Sequence, residues 1–277
     1  MTGSIQCGTI IDDPYNAAVR ILLTNDDGIL APGLAAMWRE LRSLGEVEVV
    51  APESVQSAVA HSITIHYPIM TRRVHVGGEF HGFSVEGSPA DCVKLAVHDL
   101  LDCKPDLVVS GINAGENIGT HVLYSGTVAA AAEGALQGCA AVAVSLEYSD
   151  ELDFDLAARH AMTVIRSILH QGIEAGDLVN VNIPALRPGW PRGVRVTAQS
   201  MSPLEESFER RADPQGRPYY WLSGKLTEEV DAAFDTDLRA MRDGYIAVTP
   251  IRINLTDRAR LTHMRSWSWP EIGAQGH

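Results

Sequence analysis

VRILLTNDDG, Val19–Gly28, sets an aliphatic run (Val19, Ile21, Leu22, Leu23) directly before Asn25-Asp26-Asp27-Gly28. The run reads as a buried strand, Val19–Thr24, that opens into a loop carrying two adjacent carboxylates. Ligands in open α/β sheets bind outside the carboxyl ends of the strands, and paired hard oxygen ligands at such an edge suit Mg²⁺ or Mn²⁺. Asp-Asp-Gly is also a good turn sequence in its own right. This fragment alone leaves both readings open.

Working outward, Pro32–Leu44 reads as a helix with proline near its first turn, and Val47–Ala51 as a second strand. A polar loop covers Pro52 to His61. Ile63–Ile65, Arg73–Val76 and Phe83–Val85 read as short strands. Ser88-Pro89-Ala90-Asp91 supplies an N-cap, a proline and an acid for a helix running to about Leu101. Leu107-Val108-Val109, within Asp106–Ser110, has the continuous apolar character of a strand buried on both faces. The Gly111–Tyr124 loop then leads to an alanine-rich helix from about Ser125 to Gln137. Ala141–Leu146 (strand), Phe154–His170 (amphipathic helix) and Leu178–Ile183 (strand) complete a βαβ alternation. The fold class this implies is α/β, a parallel sheet with helices on both faces.

Past Pro184 the alternation loosens. Val194–Gln199 and Tyr219–Leu222 read as strands around a charged segment, Glu205–Arg217, followed by a helix at Asp235–Asp243 and a strand at Tyr245–Ile251. A β-hairpin or arm fits this region, about residues 185–257, better than more sheet. The tail from 258 to 277, with Trp267 and Trp269, packs on the body or on a neighbouring subunit. Residues 1–19 read as a disordered extension or an over-long start, outside the domain of residues 20–257.

Composition narrows the function. A net charge of −13 over 277 residues disfavours a nucleic-acid polymer as partner, and a phosphate substrate would need a metal or a focused donor cluster to offset the field. The four cysteines show no Cys-x-x-Cys spacing, and Cys92 and Cys139 fall in apolar helical segments as buried thiols. No run of ~18 apolar residues supports a membrane span, and no secretion signal is evident. A cytoplasmic location is expected.

Three strand ends share one edge of such a sheet: Asn25-Asp26-Asp27, the loop holding Ser57, and Ser110-Gly111-Ile112-Asn113. Two carboxylates, a hydroxyl and an amide oxygen make an all-oxygen set for one hard divalent cation that keeps room for substrate phosphate. Tyr124-Ser125-Gly126-Thr127 enters a helix whose free N–H groups can bind phosphate, unless Ser125 or Thr127 simply caps it. The Asn113, Gly115, Asn117 and Gly119 loop can bring backbone amides near a ligand. His61 stands either as a leaving-group acid or phosphate contact or as a histidine hydrogen-bonded in a loop, and His121 divides the same way. Glu133, two turns into the helix, is expected to brace a loop amide. Arg210 and Arg211 read as a solvated face that can reach a neighbour's site.

Together these motifs resemble the SurE family of metal-dependent 5′-nucleotidases. The resemblance is carried by Leu22–Gly33 (LLTNDDGILAPG), Val50–Ile65 (VAPESVQSAVAHSITI), Val85–Asp91 (VEGSPAD), Pro105–Gly134 and Thr236–Pro250, between about Arg20 and Asp257. It implies a Rossmann-like core with a C-terminal region exchanged between subunits of a dimer or tetramer. It also implies hydrolysis of nucleoside monophosphates with one divalent metal, and in several members action on 3′-nucleotides or short polyphosphate. The metal ligands it implies are Asp26, Asp27, Ser57 and Asn113. The chain departs from the pattern at Ala58, where many members place glycine. Rival readings are a haloacid-dehalogenase-type phosphatase, which wants Asp-x-Asp where this chain has adjacent acids, and a non-catalytic nucleotide-binding module, whose NAD form is weakened by the missing Gly-x-Gly-x-x-Gly fingerprint.

Overall fold

Alternate residues of Val19–Thr24 (β1) feed two separate cores, which fixes this strand at the centre of the sheet. In the computed structural model, which describes residues 19–202, 204–226 and 235–270, Ile21 and Leu23 pack with the helices Pro32–Leu41 (α1) and Phe154–Gln171 (α4). Leu22 packs on the opposite face, with Pro89–Leu95 (α2) and Gly126–Leu136 (α3). Side chains alternate across a strand, so both faces must be covered, and a parallel sheet with helices on each side follows.

The neighbours of β1 are Gly45–Pro52 (β2) and Leu107–Ala114 (β5), both parallel to it, with Leu22 opposite Glu48 and Val108. Thr71–Val76 (β3), Phe80–Val85 (β4), Ala140–Leu146 (β6), Leu178–Ile183 (β7), Val194–Val196 (β8) and Ile246–Ile251 (β11) complete the order β3-β4-β2-β1-β5-β6-β7-β11-β8. The six strands from β4 to β7 are parallel. On the flanks, β3 and β11 run antiparallel to their inner neighbours and β8 runs with β11. Leu204–Ala212 (β9) and Pro218–Leu226 (β10) form a separate antiparallel hairpin. Asp237–Arg242 (α5) precedes β11, and Arg258–Arg265 (α6) follows it. Among the described residues no helix is long and apolar enough to cross a membrane.

Several elements differ from the sequence reading. Ile63–Ile65 is not a strand: the backbone N–H and hydroxyl of Thr64 bond the Asp91 carboxylate at 2.9 and 2.6 Å, so a side chain takes the place of a ladder. Ser110–Asn113 does not follow β5 but belongs to it. Pairing with β6 slips after Ser110 and resumes at Asn113 opposite Ser145. The first helix stops at Leu41, three residues early. The strand expected over Val194–Gln199 ends at Val196, because Ala198 turns to bridge Thr236. The segment Glu205–Arg217, read as charged within a hairpin or arm, holds most of β9. Of the expected N-terminal extension only Val19 lies within the described residues, and it opens β1. In the tail, α6 buries no side chain, and Trp267 and Trp269 stay exposed.

Candidate functional site

At the carboxyl end of β1 the chain turns sharply. Asn25 donates its side-chain N–H to Gly28 O at 2.9 Å, and Gly28 has φ +95°, open to glycine without strain. The turn buries Asp26 and leaves Asp27 half-buried. Three other segments meet these two acids. The backbone N–H of Gln56, next to Ser57, donates to Asp26 O at 2.7 Å. The backbone N–H of Ala114, next to Asn113, donates to Asp27 Oδ2 at 3.2 Å. Thr127, in the first turn of α3, donates its hydroxyl to Asp26 Oδ1 at 2.5 Å. The fit of α3 is close enough to exclude a side chain at Gly126, where a Cβ would lie 2.8 Å from Asp26 Cβ and 2.9 Å from Asp26 Oδ2. The segments bearing Asp26, Asp27, Ser57 and Asn113, two loops and the end of β5, therefore do converge, together with the start of α3.

Burial pushes the Asp26 carboxyl up to about 6. The Thr127 hydroxyl pulls against that shift, and the neighbouring Asp27 adds to it. Asp27 is raised too, again by burial, with the Ala114 N–H opposing. No cation offsets either acid among the described residues. Adjacent, partly desolvated carboxylates without a counter-charge are costly, and a bound cation would relieve that cost. The remaining donors suit a hard one. Asn113 gives its amide N–H to Gly115 O at 2.7 Å, which leaves its carbonyl oxygen to accept. The described residues hold no cluster of three or more His, Cys, Asp or Glu able to bind a metal, so a soft or imidazole-rich site is not what these residues build.

Other expected site residues are placed differently. Ser125 caps α3, its hydroxyl accepting from Val128 N at 3.1 Å and keeping its own proton to donate, while the Thr127 hydroxyl is spent on Asp26. The Asn117 amide donates to Ser145 Oγ at 2.8 Å within a buried cluster that includes Asn180 and Asn182. The N–H groups of Gly115, Asn117 and Gly119 are taken by Leu146 O, Asn182 and Asp237, so those three amides hold the loop rather than a ligand. His61 reaches Glu133 Oε2 at 2.9 Å. Glu133 in turn braces side chains instead of the expected loop amide: Lys94 and Gln137 donate to its other oxygen at 2.9 and 2.7 Å. Arg211 pairs with Glu209 on the hairpin. Gln56, the close approach of Gly126 to Asp26 and the clamping role of Thr127 escape a reading by motif. The 101-residue separation of Thr127 from Asp26 leaves no local signal. A hollow of about 410 Å³ opens beside Gln56, between the loop after β2 and the start of α2.

Comparison with known proteins bears on the family and the fold. The sequence model of the family described as "Survival protein SurE" matches residues 21–206. The "5'-nucleotidase SurE" of Natranaerobius thermophilus is 43% identical over 260 residues, covering 91% of this chain and all of that one. Its counterpart in Rhodopirellula baltica is 47% identical, covering 90% of this chain and 99% of that one. The crystal structure of the SurE protein from Aquifex aeolicus superposes with a TM-score of 0.77 at 37% identity, over 89% of this chain and 98% of that one. With the family model matched over residues 21–206 and relatives 43% and 47% identical over about nine-tenths of its length, the chain belongs to the SurE family.

Proposed function

We propose that this protein is a metal-dependent 5′-nucleotidase, hydrolysing nucleoside 5′-monophosphates to nucleoside and phosphate at the edge where β1, β2, β5 and α3 meet. The observation that carries the reading is the pair Asp26–Asp27, partly desolvated and with no cationic partner among the described residues, at the meeting point of three other chain segments. The names of the relatives support the same reaction. Asp26, Asp27, Ser57 and Asn113 would hold one Mg²⁺ or Mn²⁺ per subunit. Such an ion supplies Lewis-acid neutralisation of phosphoryl charge, which dominates catalysis of phosphoryl transfer.

The chain's own residues do the rest. Thr127 keeps Asp26 in register through its hydroxyl, and Ala114 does the same for Asp27 through its amide. The positive end of α3 adds a favourable field for a phosphate oxygen beside Gly126, and the hollow next to Gln56 offers room for the nucleoside. A water held by one of the two carboxylates gives it a proton and attacks phosphorus directly as the bond from phosphorus to the 5′-oxygen breaks, and the nucleoside leaves on that oxygen, which takes up a proton. Trapping labelled phosphate on Asp26 or Asp27 would point instead to a covalent route. The same site is expected to accept 3′-nucleotides and short polyphosphate less selectively. The hairpin β9–β10 fits an arm that engages a second copy in a cytoplasmic homodimer or homotetramer.

The test is phosphate release from a panel of nucleoside 5′- and 3′-monophosphates with EDTA, Mg²⁺ or Mn²⁺, for wild type and Asp26→Asn. Metal-dependent release by wild type alone, with both proteins folded by circular dichroism, is the expected result. Nucleotide binding without any release would leave a binding module as the better reading.

A further inference from the structure

Two alanines in the loop after β2 stand in the left-handed backbone region, Ala58 at φ 56° and Ala60 at φ 52°. An L side chain is crowded there, and such residues persist only where surrounding contacts over-determine them, often at functional sites. Three contacts hold this turn. Gln56 N donates to Asp26 O at 2.7 Å and Ala60 N to Tyr124 O at 3.0 Å. The third joins His61 Nε2 to Glu133 Oε2 at 2.9 Å, one residue past the second strained alanine.

Glu133 is built as an anchor. Its side chain is only 3% exposed. Burial would raise its pKa, but hydrogen bonds from His61, Gln137 and Lys94 outweigh that and hold it at about 2. It lies six residues beyond Thr127, about 9 Å further along α3 from the end that faces Asp26. His61 Nε2 is engaged by this carboxylate at 2.9 Å, which suits a tether better than a phosphate contact.

We infer that Glu133 and His61 are positioning residues: their contact holds the left-handed Ser57–His61 turn closed and thereby sets Ser57 against Asp26. The inference rests on the nucleotidase reading, in which Ser57 helps hold the cation. Lys94 provides an internal control, because it meets the same carboxylate from α2 at 2.9 Å without belonging to the loop.

The experiment compares wild type, His61→Ala, Lys94→Met and the triple variant His61→Ala with Ala58→Gly and Ala60→Gly, all in the full chain. Mn²⁺ affinity by calorimetry, kcat and KM for AMP, and deuterium exchange over residues 57–61 are measured for each. His61→Ala is expected to weaken Mn²⁺ binding and kcat/KM about tenfold, the low end for loss of a group that orients a ligand, and to speed loop exchange. Lys94→Met should lower the melting temperature and leave those quantities near wild type. The two glycines, free to adopt the left-handed conformation, should recover Mn²⁺ affinity to within roughly threefold of wild type. Equal effects of His61→Ala and Lys94→Met on metal affinity and exchange would overturn the inference, as would a triple variant that recovers nothing. Loop exchange reports on the tether even for a wild type that releases no phosphate, so failure of the nucleotidase reading is separately visible.

Discussion

Asp26 and Gly126 show how much of the site is set by single atoms. Alanine is the better helix former by about 1 kcal/mol, so propensity alone would make Gly126→Ala neutral or stabilising. Its new Cβ would sit 2.8 Å from Asp26 Cβ and 3.2 Å from Gln56 O, both held by backbone, so sterics win and the carboxylate must shift. A displacement near 1 Å costs on the order of a hundredfold in rate, and kcat/KM for AMP is expected to fall by about that much while the melting temperature changes little. Asp26 itself carries a pH signature. Its pKa is raised from 3.8 to about 6 by burial, against the Thr127 hydroxyl and with the Asp27 charge. The protonated form is therefore favoured by folding. This contribution is full below about pH 4, is lost as pH rises through 6, and leaves ionised Asp26 costing roughly 3 kcal/mol at pH 8. In EDTA, Asp26→Asn should melt higher than wild type at pH 8, with the gap closing towards pH 4.5. A gap independent of pH would place the cost elsewhere. The carboxylates were legible in the sequence because they end an apolar run. The clamp by Thr127 and the steric demand at Gly126 were not, since both are contacts across about a hundred residues.

At the scale of elements, α3 couples the core to the site. Every residue from Gly126 to Ala135 is buried, and the helix lies so close to β5 that a Cβ on Gly134 would meet Val108 Cβ and Cγ2 at 2.7 Å. Gly134→Ala should therefore destabilise by about 1–3 kcal/mol, as overpacking does, despite the gain in helix propensity. Urea unfolding with an unchanged m-value measures it, and a stabilised variant would show that α3 can slide on the sheet. The helices and the inner strands were readable because periodicity reports burial: both faces of β1, β5 and β6 are covered, and their sequences are correspondingly apolar. Periodicity failed where other partners replaced the ladder. Ile63–Ile65 looks like a strand and is held by Asp91 instead. In β9 the described side chains, residues 207–212, are all exposed, so no buried face imposes a one-faced pattern on them.

That hairpin raises the question of the whole molecule. The nine-stranded sheet contains every strand needed to enclose its two cores, and β9 and β10 pair only with each other among the described residues. Both faces of the pair carry large apolar groups: Phe208 lies opposite Leu222 on one face, and Tyr219 and Trp221 stand on the other. Phe208, Trp221 and Leu222 are each 60% exposed or more. An isolated two-stranded hairpin is marginal in water, and an apolar cluster of this kind marks an interaction surface. A second copy of the chain is the partner that the family resemblance implies, and the hairpin is the surface proposed to meet it. Wild type is accordingly expected to run as a dimer or tetramer in light scattering at micromolar concentration. Phe208→Asp with Leu222→Asp puts charges opposite each other on one face of the hairpin and removes nothing from the sheet. It should lower the mass towards the monomer while the circular dichroism of the α/β core is retained. A monomeric wild type would show that the hairpin is stable without a partner of its own kind. A double variant of unchanged mass would move the subunit contact to another surface.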